Sequence, residues 1–137
     1  MAKTGKEIQD DFYQMLVGSS LASAVSGQVY KNGYRPRDSK AEDVIVIFTT
    51  GFTDQIQSGV VTLNIYVPDV DPYDNGVLVE DGARTLAIEK AAAAWVETVA
   101  GSTEYRLRLQ RTITTEYEEQ IHQHFVVVQL RYDYFDE

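Results

Sequence analysis

Apolar side chains at Ile8, Phe12, Met15 and Leu16 recur with the i, i+4, i+7 spacing that lines one face of a helix, so residues 5–25 read as a first helix. Thr4 is placed to cap it, with Glu7 three positions on to complete a capping box. Ser19 extends the stripe, but the cluster Gly18-Ser19-Ser20 marks a point where the helix bends or stops early. Ser26-Gly27 supplies its end, because glycine accepts the left-handed conformation of many helix stops. The run Val29 to Tyr34 contains Asn32-Gly33, a pair that tolerates the positive φ angles of a two-residue turn, and this predicts a short hairpin.

Val44-Ile45-Val46-Ile47-Phe48 is an unbroken apolar run, the pattern of a strand covered on both faces. Residues 51–59, with Gly51 and Gly59 around Asp54-Gln55-Ile56-Gln57, read as a loop. From 60 to 67 the polarity alternates: Val61, Leu63, Ile65 and Val67 share one face of a strand, Thr62, Asn64 and Tyr66 the other. Residues 68–81 hold five carboxylates and Asn75-Gly76, and predict a long loop of the kind that is often functional or binds a neighbour. A second helix runs over 84–99, with a stripe of Ile88, Ala91, Ala92, Trp95 and Val99, and Gly101 as its terminator. Two strands close the chain. In 105–110, Tyr105, Leu107 and Leu109 alternate with Arg106, Arg108 and Gln110; in 121–135, Val126, Val128, Leu130, Tyr132 and Tyr134 share a face. The charged stretch 116–120 between them suits a hairpin tip. Helices that do not alternate with every strand predict an α+β fold: a mainly antiparallel sheet with two main helices packed on it.

At 137 residues the chain is the size of one domain, 1–137, and long enough to bury about two thirds of its unfolded surface. It has no cysteine, which removes disulfides, thiolate metal sites and cysteine nucleophiles at once. The net charge is −9, so a general nucleic-acid-wrapping surface is disfavoured. That charge is uneven. Residues 1–40 carry six basic and four acidic side chains, residues 41–137 six and 17. No apolar stretch reaches transmembrane length and the first residues lack the apolar run of a signal peptide, so no membrane association is expected.

His122 and His124, the only histidines, stand at i and i+2 and would share a face of a strand, the seed of a metal site. Glu118 and Glu119 are the nearest further ligands, but both fall at the turn, so a solvated strand edge is favoured over metal. Asp69, Asp71 and Asp74 loosely follow the spaced acids of a calcium loop; the glycine offset is wrong, no bidentate Glu sits at the required distance and Pro72 intervenes, which favours a solvated or interface loop. Lys31, Arg35, Arg37 and Lys40 are interleaved with Tyr30 and Tyr34, a combination suited to single-stranded nucleic acid or to an acidic neighbour. In so acidic a chain the acidic neighbour is preferred, and the 69–81 loop of a second copy is one. Tyr30, Tyr34, Arg35, Arg37 and Lys40, facing Asp69, Asp71, Tyr73 and Asp74, are therefore the candidate interface residues. No nucleophile elbow or glycine-rich phosphate loop is present, and no metal, cofactor or catalytic residue is assigned.

The helix, the Gln28-Val29-Tyr30 and Arg35-Pro36 segments, two strands, a long loop, a helix and a final hairpin together resemble the tail-terminator and tail-completion (head–tail joining) proteins of tailed bacteriophages. The phrase from Gln55 to Asp69 is similar to phage structural proteins. The resemblance spans nearly the full length and rests on element order. It implies a virion protein without an active site, assembled in the host cytoplasm. Its partners would be itself in a ring, usually of six subunits, the tail tube and the neck or connector, with DNA passing through unbound. An acidic lumen is compatible, since a basic one would hold the DNA. The alternatives are another virion component, such as a neck connector, tube or baseplate subunit, and a small metal- or ligand-binding domain using His122 and His124.

Overall fold

The computed structural model describes residues 2–101 and 103–135. The fold is α+β; the described residues form three α-helices, α1 (Gly5–Leu16), α2 (Ser20–Ala24) and α3 (Gly82–Val99), and six strands, β1 (Val29–Lys31), β2 (Val44–Phe52), β3 (Ile56–Pro68), β4 (Tyr105–Leu109), β5 (Thr114–Glu118) and β6 (Gln123–Phe135). The strands form one sheet in the order β1-β2-β3-β6-β4, and β5 follows β4 along the same edge of β6. All pairs are antiparallel except β1 with β2.

One sheet face is dry. Registers Val44↔Ile65↔Val126 and Val46↔Leu63↔Val128 stack β-branched and leucine side chains in rows, each 0 % exposed. The helices close over these rows with Ile8, Phe12 and Leu16 from α1, Leu21 from α2, and Ile88, Ala92 and Trp95 from α3, in a single core cluster. Burying each large side chain contributes about 1.5–3 kcal/mol. At Ala92, fully buried in α3, there is no side chain beyond Cβ to hold the helix away from its neighbours. No helix covers the opposite face among the described residues; the connection 32–43 folds over one end of it, where the Arg35 guanidinium lies 4.4 Å from the centre of the Tyr66 ring.

Several expected elements change. The capping box of Thr4 and Glu7 forms, but the helix over 5–25 is two helices: Gly18 has φ +76° and Ser19, off the apolar stripe, caps α2 by accepting from the Ala22 N–H. Gly27 is not a left-handed stop. A Cβ there would collide with the Asp43 carboxylate and the Glu42 carbonyl, so close packing demands the glycine. The hairpin at Asn32-Gly33 does not form. Gly33 takes φ +90° in a turn closed by the Tyr34 N–H onto the Lys31 carbonyl, but the chain leaves the sheet and returns as β2, parallel to β1. The loop at 51–59 is instead the tip of the long β2–β3 hairpin, with Gly51 paired to Gly59.

α3 starts earlier than its stripe, at Gly82, because Asp81 accepts from the Arg84 N–H as its cap, and Ala100 with right-handed geometry, not Gly101, ends it. Of the predicted stripe, Ala91 and Val99 are only half-buried, while Thr85 and Val96 are buried. The second terminal strand begins at Gln123, because the stretch placed at a hairpin tip is mostly β5 and the tip is a 3-10 turn at 119–121. β4 and β5 together track β6, interrupted where residues 110–113 stand opposite only Val128 and Gln129. Leu109, next to that interruption, is 38 % exposed rather than buried.

Candidate functional site

The basic segment divides into residues that hold the fold and residues that face water. β1 brings Val29, Tyr30 and Lys31 to the sheet edge beside α1, and with Tyr13 and Tyr34 they line an open groove of about 340 Å³. Lys31 pairs with Asp10 at 2.8 Å and lies 5.1 Å from the Tyr13 ring centre; the Asp10 carboxylate holds its ammonium above the ordinary lysine pKa. Tyr34 is 72 % exposed, and Arg37 and Lys40 are exposed after it.

Arg35 turns inward. Its Nε donates to Asp43 Oδ2 at 2.8 Å, and its Nη2 donates to the Ala41 carbonyl at 3.1 Å and to Gln123 Oε1 at 2.9 Å. Gln123 Nε2 in turn donates to the Ser39 carbonyl. Burial opposes the charge on Asp43, but hydrogen bonds from Arg35, the Ser39 hydroxyl and the Gln28 N–H outweigh it and hold the carboxyl below the usual range. Arg35 is thus the fastener that ties the basic connection to β6. It is not a free interface cation, which corrects its placement among the interface candidates.

The acidic loop divides the same way. The Asp69 side chain is 2 % exposed and accepts from His124 Nδ1 at 2.7 Å, so it too leaves the interface set. Asp71 is half-buried and closes the loop on itself: its two carboxylate oxygens accept from the Asn75 and Gly76 N–H groups at 3.1 and 2.8 Å. Asn75 Oδ1 accepts from the Val77 N–H, and Val70 pairs with Val79 through both N–H groups. A carboxylate occupied by amide donors accounts for the Asp71 spacing without calcium. Tyr73 and Asp74 are exposed, Tyr73 at 79 %, as are Val77, Leu78 and Val79.

The histidines do not share a strand face. His122 ends the 3-10 turn with φ +52°, before β6 begins, and only His124 is in the strand. Its ring stacks on Tyr117, with Asp69 on Nδ1 and Glu80 on Nε2 at 3.6 Å. Carboxylates on opposite ring nitrogens make His124 a bridge between β6 and the two ends of the acidic loop. Among the described residues no three His, Asp or Glu side chains converge as metal ligands.

Two polar clusters escaped the sequence reading. Arg84 grips Glu42 with Nε and Nη2 at 2.8 and 2.7 Å and also donates to the Ala24 carbonyl, which pins the start of α3 to the end of α2. The Arg84 hydrogen bonds hold the Glu42 carboxyl below its usual range. Lys3 bridges Asp11 and Glu104 at 2.6 and 2.7 Å over the Tyr134 ring; burial works against its charge, but the two carboxylates raise its pKa to about 12. Each pairing spans 8 to 101 positions, so no local spacing announces it. Among the exposed surfaces are a tyrosine groove, an apolar-tipped acidic loop beside Lys40, and the end of the sheet where Phe52, Ile56 and Phe135 are exposed. The chain matches no known family model and none of the curated proteins it was compared with.

Proposed function

We propose that this chain is a structural protein of a tailed-phage virion, a tail terminator whose copies close into a ring at the end of the tail tube and join it to the neck. The observation that carries the reading is the possession, by one small subunit, of two different exposed surfaces, a tyrosine-lined groove and an apolar-tipped acidic loop. Head-to-tail association through unlike patches makes rings or filaments, whereas a two-fold dimer needs one self-complementary patch. The element order and the resemblance described above support the virion assignment. So does the net charge of −9, which suits a channel that lets DNA pass without gripping it. No catalysis is assigned to the chain.

The test is its mass in solution, followed by imaging with isolated tail tubes. A closed ring that caps tube ends is the expected result. A monomer at every concentration overturns the reading. Unlimited self-assembly into tubes overturns it too, in favour of a tube subunit.

A further inference from the structure

The outer face of α3 lacks the charge of an ordinary surface helix. Nine of its residues are exposed, and only Lys90 and Glu97 among them are charged, in a chain where 24 % of residues are. The face is otherwise built mainly of Ala83, Leu86, Ala87, Ala93 and Ala94, and Leu86 is 53 % exposed. Neither charge is used inside the subunit: among the described residues, Lys90 and Glu97 have no ion pair and no side-chain hydrogen bond. Arg84 and Glu89 on the flanks of the same helix, by contrast, are engaged with Glu42 and Thr115.

The face repeats every seven residues. Ala83, Lys90 and Glu97 follow one another at that interval, as do Leu86 and Ala93, and Ala87 and Ala94. Seven positions return a side chain to within about 20° of its first direction, about 10 Å further along the axis, so these residues form one straight seam of the kind along which helices pair. Alanine has nothing beyond Cβ to hold a second helix away, which permits axes at the short end of the usual range of about 8–10 Å. The two charges say what covers the seam. They flank Ala93-Ala94 symmetrically, three positions to either side. A second α3 laid antiparallel across a two-fold axis at Ala93-Ala94 sets each Lys90 beside Glu97 of the other copy, whereas a parallel one sets lysine on lysine and glutamate on glutamate. One cation and one anion also leave the seam neutral, so a chain of net charge −9 meets its own copy there without burying unbalanced charge.

We propose that α3 is a self-complementary docking surface through which two copies of this chain pair antiparallel, with two reciprocal Lys90–Glu97 ion pairs. The contact uses neither the tyrosine groove nor the acidic loop and is independent of the ring reading; added to a ring, it joins two rings face to face.

The test is charge reversal, read by analytical ultracentrifugation over a concentration series. A single helix pair buries little area, so the wild-type association should be weak and rise with concentration. Lys90→Glu and Glu97→Lys each place like charges together at both ends of the seam and should weaken it at least about tenfold. The double variant restores the pairs in swapped order, and so does an equimolar mixture of the two single variants; both should associate as the wild type does. Unchanged thermal midpoints show that each variant is folded. Association that the reversals do not alter overturns the proposal, as does loss without recovery in the mixture, or a wild-type monomer up to about 1 mM, well above the range of a specific contact. Because the chain has no cysteine, Ala94→Cys gives a second reading. Close to the two-fold axis, its disulfide-linked homodimer should form about tenfold faster than that of Val77→Cys on the acidic loop, and equal rates overturn the proposal. Rings that persist once this contact is lost keep the ring reading, and a chain that pairs through α3 but forms no ring overturns that reading alone.

Discussion

Arg35 stands among four cations and two exposed-looking tyrosines, yet it is spent inside the subunit, on Asp43, Gln123 and the Tyr66 ring. Removing one partner of a buried charge pair strands the other, so Arg35→Ala should cost about 3–5 kcal/mol in urea unfolding. Trp95, the single tryptophan and 2 % exposed, is the natural fluorescence probe for it. Arg37→Ala, on the exposed side of the same segment, should leave the unfolding midpoint unchanged. Asp43 and Glu42 both have folded pKa values below their ordinary 3.8 and 4.5. Their stabilisation is therefore complete above those ordinary values and is lost as pH falls through the lower folded ones. A pH series of unfolding midpoints should show that acid limb, and Arg84→Gln should remove the share due to Glu42. Tyr132 presents the opposite case: its hydroxyl is buried with no hydrogen-bond partner among the described residues, against Gly51 and Gly59. Tyr132→Phe should raise stability by about 1 kcal/mol, and a lowered urea midpoint would contradict this account.

Element boundaries follow from single backbone positions and from partners distant in sequence. α1 and α2 are separated because Gly18 adopts φ +76° with open space around its Cα and Ser19 restarts the helix as a cap. With room available for a side chain, the penalty for Gly18→Ala is conformational alone, about 1–2 kcal/mol, read as a lower thermal midpoint with unchanged helix content. The helical stripes were legible because a periodicity of 3.6 is written locally: Ile8, Phe12, Leu16, Ile88, Ala92 and Trp95 are all buried as their spacing predicts. The alternation in β3 and β6 was legible for the same reason. β5 was not, since Thr114 to Glu118 is polar, lies at a sheet edge and is a strand only because β6 offers it an unpaired backbone. Asn32-Gly33 likewise encodes a turn but not the direction of the chain after it. β1 pairs in parallel because residues 32–43 cross the open face before β2 starts.

For the whole molecule, the helices cover one sheet face and leave a tyrosine groove and an apolar-tipped acidic loop as unlike surfaces of one subunit. If opposite charge guides the copies together, raising sodium chloride from about 0.05 to 0.5 M should slow assembly several-fold, because the screening length shrinks. The subunit's own unfolding midpoint should move little. Stopped-flow light scattering against a thermal melt separates the two, and an assembly rate indifferent to salt would argue against charge steering.

By itself the sequence determined the α+β class, both main helical faces, the central strands and the position of the acidic loop, since each is a short-range pattern of apolar and polar side chains. Only the tertiary structure decided which charges are free. Arg35 and Asp69 read like their exposed neighbours Arg37 and Asp74, but their side chains are turned from solvent onto Asp43 and His124, 8 and 55 positions away. A charge's availability depends on what folds against it, and a pairing across the sheet leaves no trace in local spacing.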